Sequence, residues 1–407
     1  MPEMKSKHGQ EAAAGEAFPS IEVDTQVPVR YRVHFTDDLF VRSNPLLASV
    51  LRDGPEPLPR KCLCFIDGGL AAAQPELDGR IRYYFEGCAE SARLVEPPIV
   101  LPGGEAAKNG FGVAQTVLEA ARAARISRHG FILAVGGGAF LDAAGFAASL
   151  VHRGVRLIRV PSTVLAQDDA GVGVKNGLNL NGAKNFIGTF APPAAVLNDF
   201  YLLRTLPDRE WIAGIAEAFK VAVIKDREFL DWLRANAGAL RRRDMEAMKS
   251  MIRRSAELHL LHIGQGGDPF EQGTARPLDF GHWSAHKLET LSDYELRHGE
   301  AVAVGMALDL CYAAAVGFIA PAEAGGVICA MEEAGLPVWH KAMELKSEAG
   351  WPLVLDGLEE FREHLGGELA VTLPKPLGAK IEVGALDFAK VKSAMNLLRH
   401  RAAARTA

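Results

Sequence analysis

A buried-strand run, Phe131-Ile-Leu-Ala-Val135, opens directly into three glycines, Gly136, Gly137 and Gly138, and then into a helical pattern that carries Asp142. Few folds accept that succession. A short apolar run of this kind is a strand covered on both faces, and one that turns straight into a helix belongs to a crossover unit of a parallel sheet. Consecutive glycines let a backbone come close to a diphosphate, and the helix N-terminus beyond them favours its negative charge. The run is not the G-x-G-x-x-G dinucleotide fingerprint, so a tight strand-to-helix turn without a ligand stays open as the alternative.

The first half of the chain repeats the alternation. Lys61 to Ile66 is strand-like and stops at Asp67-Gly-Gly, Arg93 to Leu101 reads as another strand, and Val155 to Val160 as a further one before Pro161. Residues 111–128 carry apolar positions at helical spacing. After Leu206-Pro207 the pattern is almost wholly helical as far as Leu336, broken by a Gly/Pro-rich loop at 264–281. Past Leu336 a less regular segment ends in an Arg/Ala-rich tail. The expectation is a Rossmann-like α/β domain with a mostly parallel sheet over residues 28–206, then a mainly α-helical domain over 207–407, with a flexible tail over 1–27. A chain of 407 residues is long enough for both.

Charge and cysteine content exclude more than they assign. A net charge of −5 with a pI near 6.2 gives no electrostatic reason to expect nucleic acid or an anionic membrane as partner. Cys62, Cys64, Cys88, Cys311 and Cys329 are odd in number and offer only a C-x-C pair, which suggests neither a disulfide framework nor a zinc knuckle. The first 20 residues hold no apolar signal-peptide core, and apolar runs break well before the roughly 18 residues a membrane span needs. A cytoplasmic protein is the expectation.

Three segments carry side chains suited to chemistry. In Gly103-Gly-Glu-Ala-Ala-Lys108, Glu105 and Lys108 stand three apart at a helix start, where they can grip ribose and phosphate or form a plain surface pair. Gln167 to Lys175, followed by Gly182-Ala-Lys184-Asn185, sets Asp169, Lys175, Lys184 and Asn185 among glycines and apolar residues. That composition suits a pocket for a polyanion better than a solvated face. The third set is Glu217 with Lys220 on one helix face, His282 with His286 one turn on, and His298 at the start of another helix. Taken singly, each histidine is better explained as a cap or a core residue. One carboxylate with two imidazoles, Glu217, His282 and His298, suits Zn²⁺, with Co²⁺ the next candidate, and leaves positions open for substrate.

Read in order, the segments GGE105xxK108, GGG(136–138)xxxD142, Arg153-Gly, Pro161-Ser-Thr163, Asp169 with Lys175, GxK184NxIG188, R204TLP207, E217xxK220, GHxxxH286 and H298GEAVAVG305 resemble the 3-dehydroquinate synthase-like sugar-phosphate cyclases. The resemblance implies an NAD⁺ site on Asp67, Glu105, Lys108, Gly136, Gly137, Gly138, Asp142, Ser162, Thr163, Lys184 and Thr205. It implies a divalent metal on Glu217, His282 and His298, and a substrate pocket on Asp169, Lys175, Asn185, Lys220, Asp279 and His286. Arg153 matches an arginine that such enzymes reach across a homodimer interface to the substrate phosphate. The implied chemistry is transient oxidation at NAD, β-elimination of phosphate, re-reduction and an intramolecular aldol closure of a carbocycle.

The departures concern the wall that distinguishes substrates. Where dehydroquinate synthases carry a lysine 21 residues before the first metal histidine, this chain has Leu261, with His262 beside it. Where they carry an arginine seven residues before it, this chain has Ala275, with Arg276 next, and their following asparagine is Asp279. A lysine of the C-terminal segment is replaced around His364. Two lost cations and one gained carboxylate favour a sugar phosphate without a carboxylate, each charge-assisted bond being worth roughly 1.5–3 kcal/mol. The aspartate is reminiscent of 2-epi-5-epi-valiolone synthases, and the H282WSAH286KLE and F361REHLGG runs resemble synthase-like proteins of "ebo" gene clusters. Substitution by Arg276 and His262 after a one-residue slip is the competing reading, which leaves 3-dehydroquinate synthase itself open. From other classes, a metal-dependent alcohol dehydrogenase and a non-catalytic NAD-binding scaffold stay open. The phosphate-gripping lysines argue against the first, and the full set of catalytic groups against the second.

Overall fold

In the computed structural model the described residues are 20–25, 27–181, 183–266, 270 and 278–406. Residues 1–30 form one compact unit, whose described part holds no helix or strand, and residues 31–407 form the other. The larger unit opens on a seven-stranded sheet built from β1 (Arg32–Thr36), β2 (Arg60–Asp67), β3 (Ala92–Leu94), β4 (Ile99–Leu101), β5 (Phe131–Gly136), β6 (Arg156–Pro161) and, further on, β9 (Ala195–Asp199). Between them β7 (Lys175–Leu180) and β8 (Ala183–Phe190) form a separate antiparallel hairpin.

The sheet runs in the order β1-β9-β6-β5-β2-β3, with β4 also paired to β2, and every pairing is parallel. Arg93 to Leu101 is therefore two short strands, not one. Every residue of β5 is buried, as a central strand covered on both faces must be. From β2 the chain goes to one side of the sheet and from β5 to the other, so the strand order switches between them. Ligands of open parallel sheets bind at the carboxyl ends of such a pair. Here those ends are Asp67 and Gly136.

The helix Gly138–Leu150 follows β5 and is buried over most of its length. Its Gly145 is obligatory, because a Cβ there would lie 1.9 Å from Asn176 Oδ1 on β7. That close approach seats the hairpin on the helix. Arg159 of β6, fully buried, clamps the same hairpin by donating to the carbonyls of Gly171, Gly173 and Lys175 and to Asn176 Oδ1 at 2.6 Å.

From Asp208 the architecture is mainly helical, with Asp208–Lys225, Arg227–Arg241, Met245–Gln265, His282–Leu291, His298–Ala315 and Pro321–Glu333 sharing one apolar core. The Arg/Ala-rich end is a helix, Phe388–Thr406, that buries Val391, Ala394 and Leu398 against this core, and β10 (Val371–Pro374) pairs with β11 (Lys380–Val383) before it. Among the described residues no helix is long and apolar enough to cross a membrane.

Candidate active site

Asp67 caps the turn after β2, accepting from the Gly69 and Leu70 amides. Three glycines make room for it: a Cβ on Gly103 would strike Asp67 Oδ1 at 1.9 Å, one on Gly136 would lie 2.7 Å from Asp67 Cβ, and Gly137 also borders it. Ser162 donates its amide to Gly136 O at 2.9 Å, and the Thr163 methyl lies 3.3 Å from a Cβ built on Gly137. Five candidates thus meet where the sheet switches direction.

A cleft of about 540 Å³ continues from Gly138 and Asp142 past Glu105, Lys108, Lys184 and Asn185 to His286, Glu289 and His298. Lys108 is buried and joins two of these walls, donating to Asp142 Oδ2 at 2.8 Å and to Asn185 Oδ1. Glu105 Oε1 accepts from Asn179, which also accepts from the Asn185 amide, so the hairpin fixes the nucleotide-side groups. Asn185 holds a φ of 51°, a left-handed conformation that asparagine tolerates better than most residues.

At the helical end of the cleft one ligand atom each from Glu217, His282 and His298 lies within 4.8 Å of the other two. The local sequence explains this. Glu217 projects from the Asp208–Lys225 helix, while His282 and His298 each open a helix. The first opens at Gly281, where φ is 80° and a Cβ would lie 2.8 Å from Met306 N. Asp309 holds that corner by accepting from Gly281 N at 3.1 Å and Trp283 Nε1 at 2.8 Å, on either side of His282.

Glu217 is 1% exposed; its Oε2 is paired with the Lys220 ammonium, while among the described residues Oε1 has no hydrogen-bond partner and lies 3.9 Å from His298 Nε2. A buried carboxylate with an unsatisfied oxygen facing two imidazoles is what a divalent cation would satisfy. Burial, with Lys220 and His298 adding, pushes the His282 pKa far down and leaves the ring neutral, the form that ligates. Burial opposes charge on His298 too, yet Glu289 outweighs it and raises the pKa. Glu289 is held down to about 2; burial works against this, and His298 and Lys184 prevail.

Below this set lies a charged chain. Lys220 Nζ donates to Asp169 Oδ2 at 3.0 Å, and Asp169 Oδ1 is 2.7 Å from His259 Nδ1. Burial disfavours charge on Asp169, but Lys220 and His259 overcome it and hold the carboxyl well below its usual range. Asp168, fully buried and without a side-chain hydrogen-bond partner among the described residues, is driven the other way by burial, with Glu217 and Asp169 adding.

His259, Glu289, Asp309 and Arg159 were not singled out from sequence. Counting 21 residues back from His282 lands on Leu261, but that side chain is 41% exposed and lines an outer groove with Phe35 and Arg253. From the same helix His259 reaches Asp169. Asp279 is half-buried and close enough to His286 to influence its charge. Ala275, Arg276 and Gly182 lie outside the described residues, as does the side chain of His364. Asp67, Gly136, Gly137, Ser162, Thr163, Asp169, Glu217, Lys220, Asp279 and His282 border the cleft without lining it, and three further candidates are also absent from its lining: Lys175, exposed at the start of β7; Thr205, whose hydroxyl accepts from Gln74; and Arg153, exposed in a turn at φ 64°.

Comparison with known proteins shows the family. Residues 98–213 match the 3-dehydroquinate synthase N-terminal sequence family and residues 214–352 its C-terminal counterpart. The 3-dehydroquinate synthase of Methylococcus capsulatus is 39% identical over 73% of this chain and 81% of its own. That of Rhodospirillum rubrum is 32% identical over 94% and 96% respectively. Among solved structures, the 2-epi-5-epi-valiolone synthase of Streptomyces hygroscopicus subsp. jinggangensis 5008, with NAD⁺ and Zn²⁺ bound, superposes with a TM-score of 0.82 at 30% identity, covering 93% of this chain and 99% of that one. A 2-deoxy-scyllo-inosose synthase complexed with carbaglucose-6-phosphate, NAD⁺ and Co²⁺ shares the fold at 21% identity, with a TM-score of 0.72 over 89% and 96%.

Proposed function

The chain belongs to the 3-dehydroquinate synthase family of phosphate-eliminating sugar-phosphate cyclases, and from that premise we propose that it closes a carbocycle from a sugar phosphate lacking a carboxylate, such as a heptulose phosphate. The observation that carries this reading is the pairing of His259 with Asp169 at 2.7 Å. The side chain that the Met245–Gln265 helix offers the site is an imidazole already held by a carboxylate. With Asp279 beside His286, a substrate carboxylate would meet added negative charge, whereas hydroxyls would find acceptors. The likeness to the 2-epi-5-epi-valiolone synthase supports the same choice.

In this proposal Glu217, His282 and His298 hold one divalent ion, Zn²⁺ or Co²⁺, and the residues from Asp67 to Thr205 named above hold NAD⁺, with the division near residues 206 and 207 separating the two groups. The pair would supply a Lewis acid and a reversible hydride acceptor. The protein's own work is position and charge. Lys184 and Asn185 donate toward phosphate oxygens, and Lys220 keeps Asp169 ionised while opposing the burial that raises Glu217. His286, on the cleft wall, is placed to pass a proton to or from a substrate hydroxyl. Arg153, exposed in its turn, is assigned to the phosphate site of a partner subunit in a homodimer.

The test is phosphate release by the Co²⁺- and NAD⁺-loaded chain, with sedoheptulose 7-phosphate set against the carboxylated heptulosonate phosphate. Release from the former, without NADH accumulating, is expected. A second reading, 3-dehydroquinate synthase itself, is favoured by the 39% identity to the Methylococcus capsulatus enzyme. Efficient turnover of the carboxylated substrate alone would establish it and sink the proposal. NADH accumulating in step with substrate would indicate a dehydrogenase.

A further inference from the structure

Glu289 is 3% exposed, two helical turns beyond His282 on the same helix. Its two carboxylate oxygens serve opposite walls of the cleft. Oε1 accepts from Lys184 Nζ at 2.7 Å, on the hairpin that carries nucleotide-side groups, and Oε2 lies 3.4 Å from His298 Nδ1. An imidazole that donates Nδ1–H to a carboxylate presents Nε2 as its free lone pair, and in His298 that atom faces Glu217. We propose that Glu289 is a positioning residue that couples the metal site to the dinucleotide site, by fixing the ligating tautomer of His298 while holding Lys184 with its other oxygen; the inference rests on the metal and NAD⁺ reading above.

The coupling follows from one carboxylate serving two donors. A dication on Nε2 makes the Nδ1–H a stronger donor and draws the carboxylate toward His298. Lys184, paired to Glu289 before loading, then has more of its hydrogen-bonding capacity for a dinucleotide. Occupation of Lys184 by the dinucleotide returns the favour, since Glu289 is left to His298. Two ligands linked in this way raise each other's affinity by the same factor, and couplings of this kind span about 5- to 150-fold. His286, Glu289 and His298 also offer ligand atoms within 4.8 Å of one another, so Glu289 as the ligand of a second ion is the rival reading. The Lys184 ammonium, 2.7 Å from Oε1, already neutralises that carboxylate, which disfavours a second cation there.

The experiment uses the full chain, stripped with a chelator. Co²⁺ binding is followed by its d–d absorption with and without NAD⁺, and NAD⁺ binding by calorimetry with and without Co²⁺. The wild type should bind one Co²⁺ per chain and show the same enhancement in both directions. Glu289→Gln keeps the shape but removes the charge. It should weaken Co²⁺ binding about 10- to 100-fold, alter the Co²⁺ spectrum and abolish the enhancement. Lys184→Met should weaken NAD⁺, abolish the enhancement and raise Co²⁺ affinity without NAD⁺ toward the value that NAD⁺ confers on the wild type. This second variant carries the test if the first does not fold. Wild-type Co²⁺ affinity and enhancement in Glu289→Gln, or two Co²⁺ per chain, would overturn the inference. A wild type that binds both ligands without enhancement overturns it alone; a wild type that binds neither overturns the proposed function beneath it.

Discussion

Lys220 is the residue whose removal should disturb this site most. It is 3% exposed and stands between two carboxylates, touching Glu217 and donating to Asp169 at 3.0 Å. Lys220→Met fills similar space and leaves both carboxylates buried without their ammonium. Removing one partner from a buried ion pair typically destabilises by about 3–5 kcal/mol. With a urea dependence near 3 kcal/mol per molar or steeper, that corresponds to a midpoint lowered by roughly 1 M. Burial pushes Glu217 up to about 7, with Lys220 opposing it, so the carboxylate in the variant can escape the penalty by taking a proton. The loss should therefore grow as pH rises. The distinctive outcome is the response to metal. Glu217 no longer has an ammonium competing for it, so Lys220→Met should bind Co²⁺ more tightly. Each tenfold gain in affinity closes the stability gap by about 1.4 kcal/mol at saturating ion. Urea unfolding of both proteins, in chelator and in excess Co²⁺, measures each quantity, and phosphate release should be lost in the variant throughout. A deficit below about 1 kcal/mol in chelator, or a gap that Co²⁺ leaves unchanged or widens, would refute the reasoning.

Gly281→Ala forces a left-handed residue to carry a Cβ 2.8 Å from Met306 N, which should destabilise by about 2–4 kcal/mol and weaken Co²⁺ binding at the adjacent His282; unfolding midpoints and Co²⁺ titration check it. Asp309 is pushed up to about 7 by burial, against the donors Trp283 and Gly281, so its folded pKa lies above its unfolded one. The stability it contributes is present at low pH and is lost as pH rises through about 7. Asp309→Asn should flatten that decline by roughly 2–4 kcal/mol between pH 4 and 8, read from stability measured across the range.

Much of this architecture was legible because it rests on local rules. Alternating strand and helix patterns imply parallel crossovers, and the three glycines that end β5 and open the next helix mark the point where the strand order switches. The spacing of Glu217 with Lys220 and of His282 with His286 places each pair on one helix face. The β7–β8 hairpin was not legible, since β8 is largely solvent-facing, with Phe186 70% exposed, and has no buried stripe to announce it. The final helix was legible in principle: Val391, Ala394 and Leu398 recur at helical spacing, but arginines and alanines around them obscure the stripe.

Leu261, exposed in an outer groove, shows what a count along the chain leaves out. Carrying a pocket residue over by a fixed distance from His282 assumes that the intervening chain keeps its length, yet that chain includes the loop after Gln265, where length varies freely. A helix advances about 100° per residue, so a displacement of two positions rotates a side chain by roughly 200°, from the pocket to the far face. Leu261 is on that far face and His259 on the near one. The face of the Met245–Gln265 helix, not the distance to a motif, decides which side chain reaches Asp169. His259 is further specified by a partner, Asp169, that no local pattern connects to it, because the two meet only when the turn after β6 packs on this helix. The same holds for Glu289 with Lys184 and Asp309 with Gly281. Helical phase and long-range pairing thus set the surroundings of Asp169, with the His259 imidazole against it and Leu261 in the outer groove.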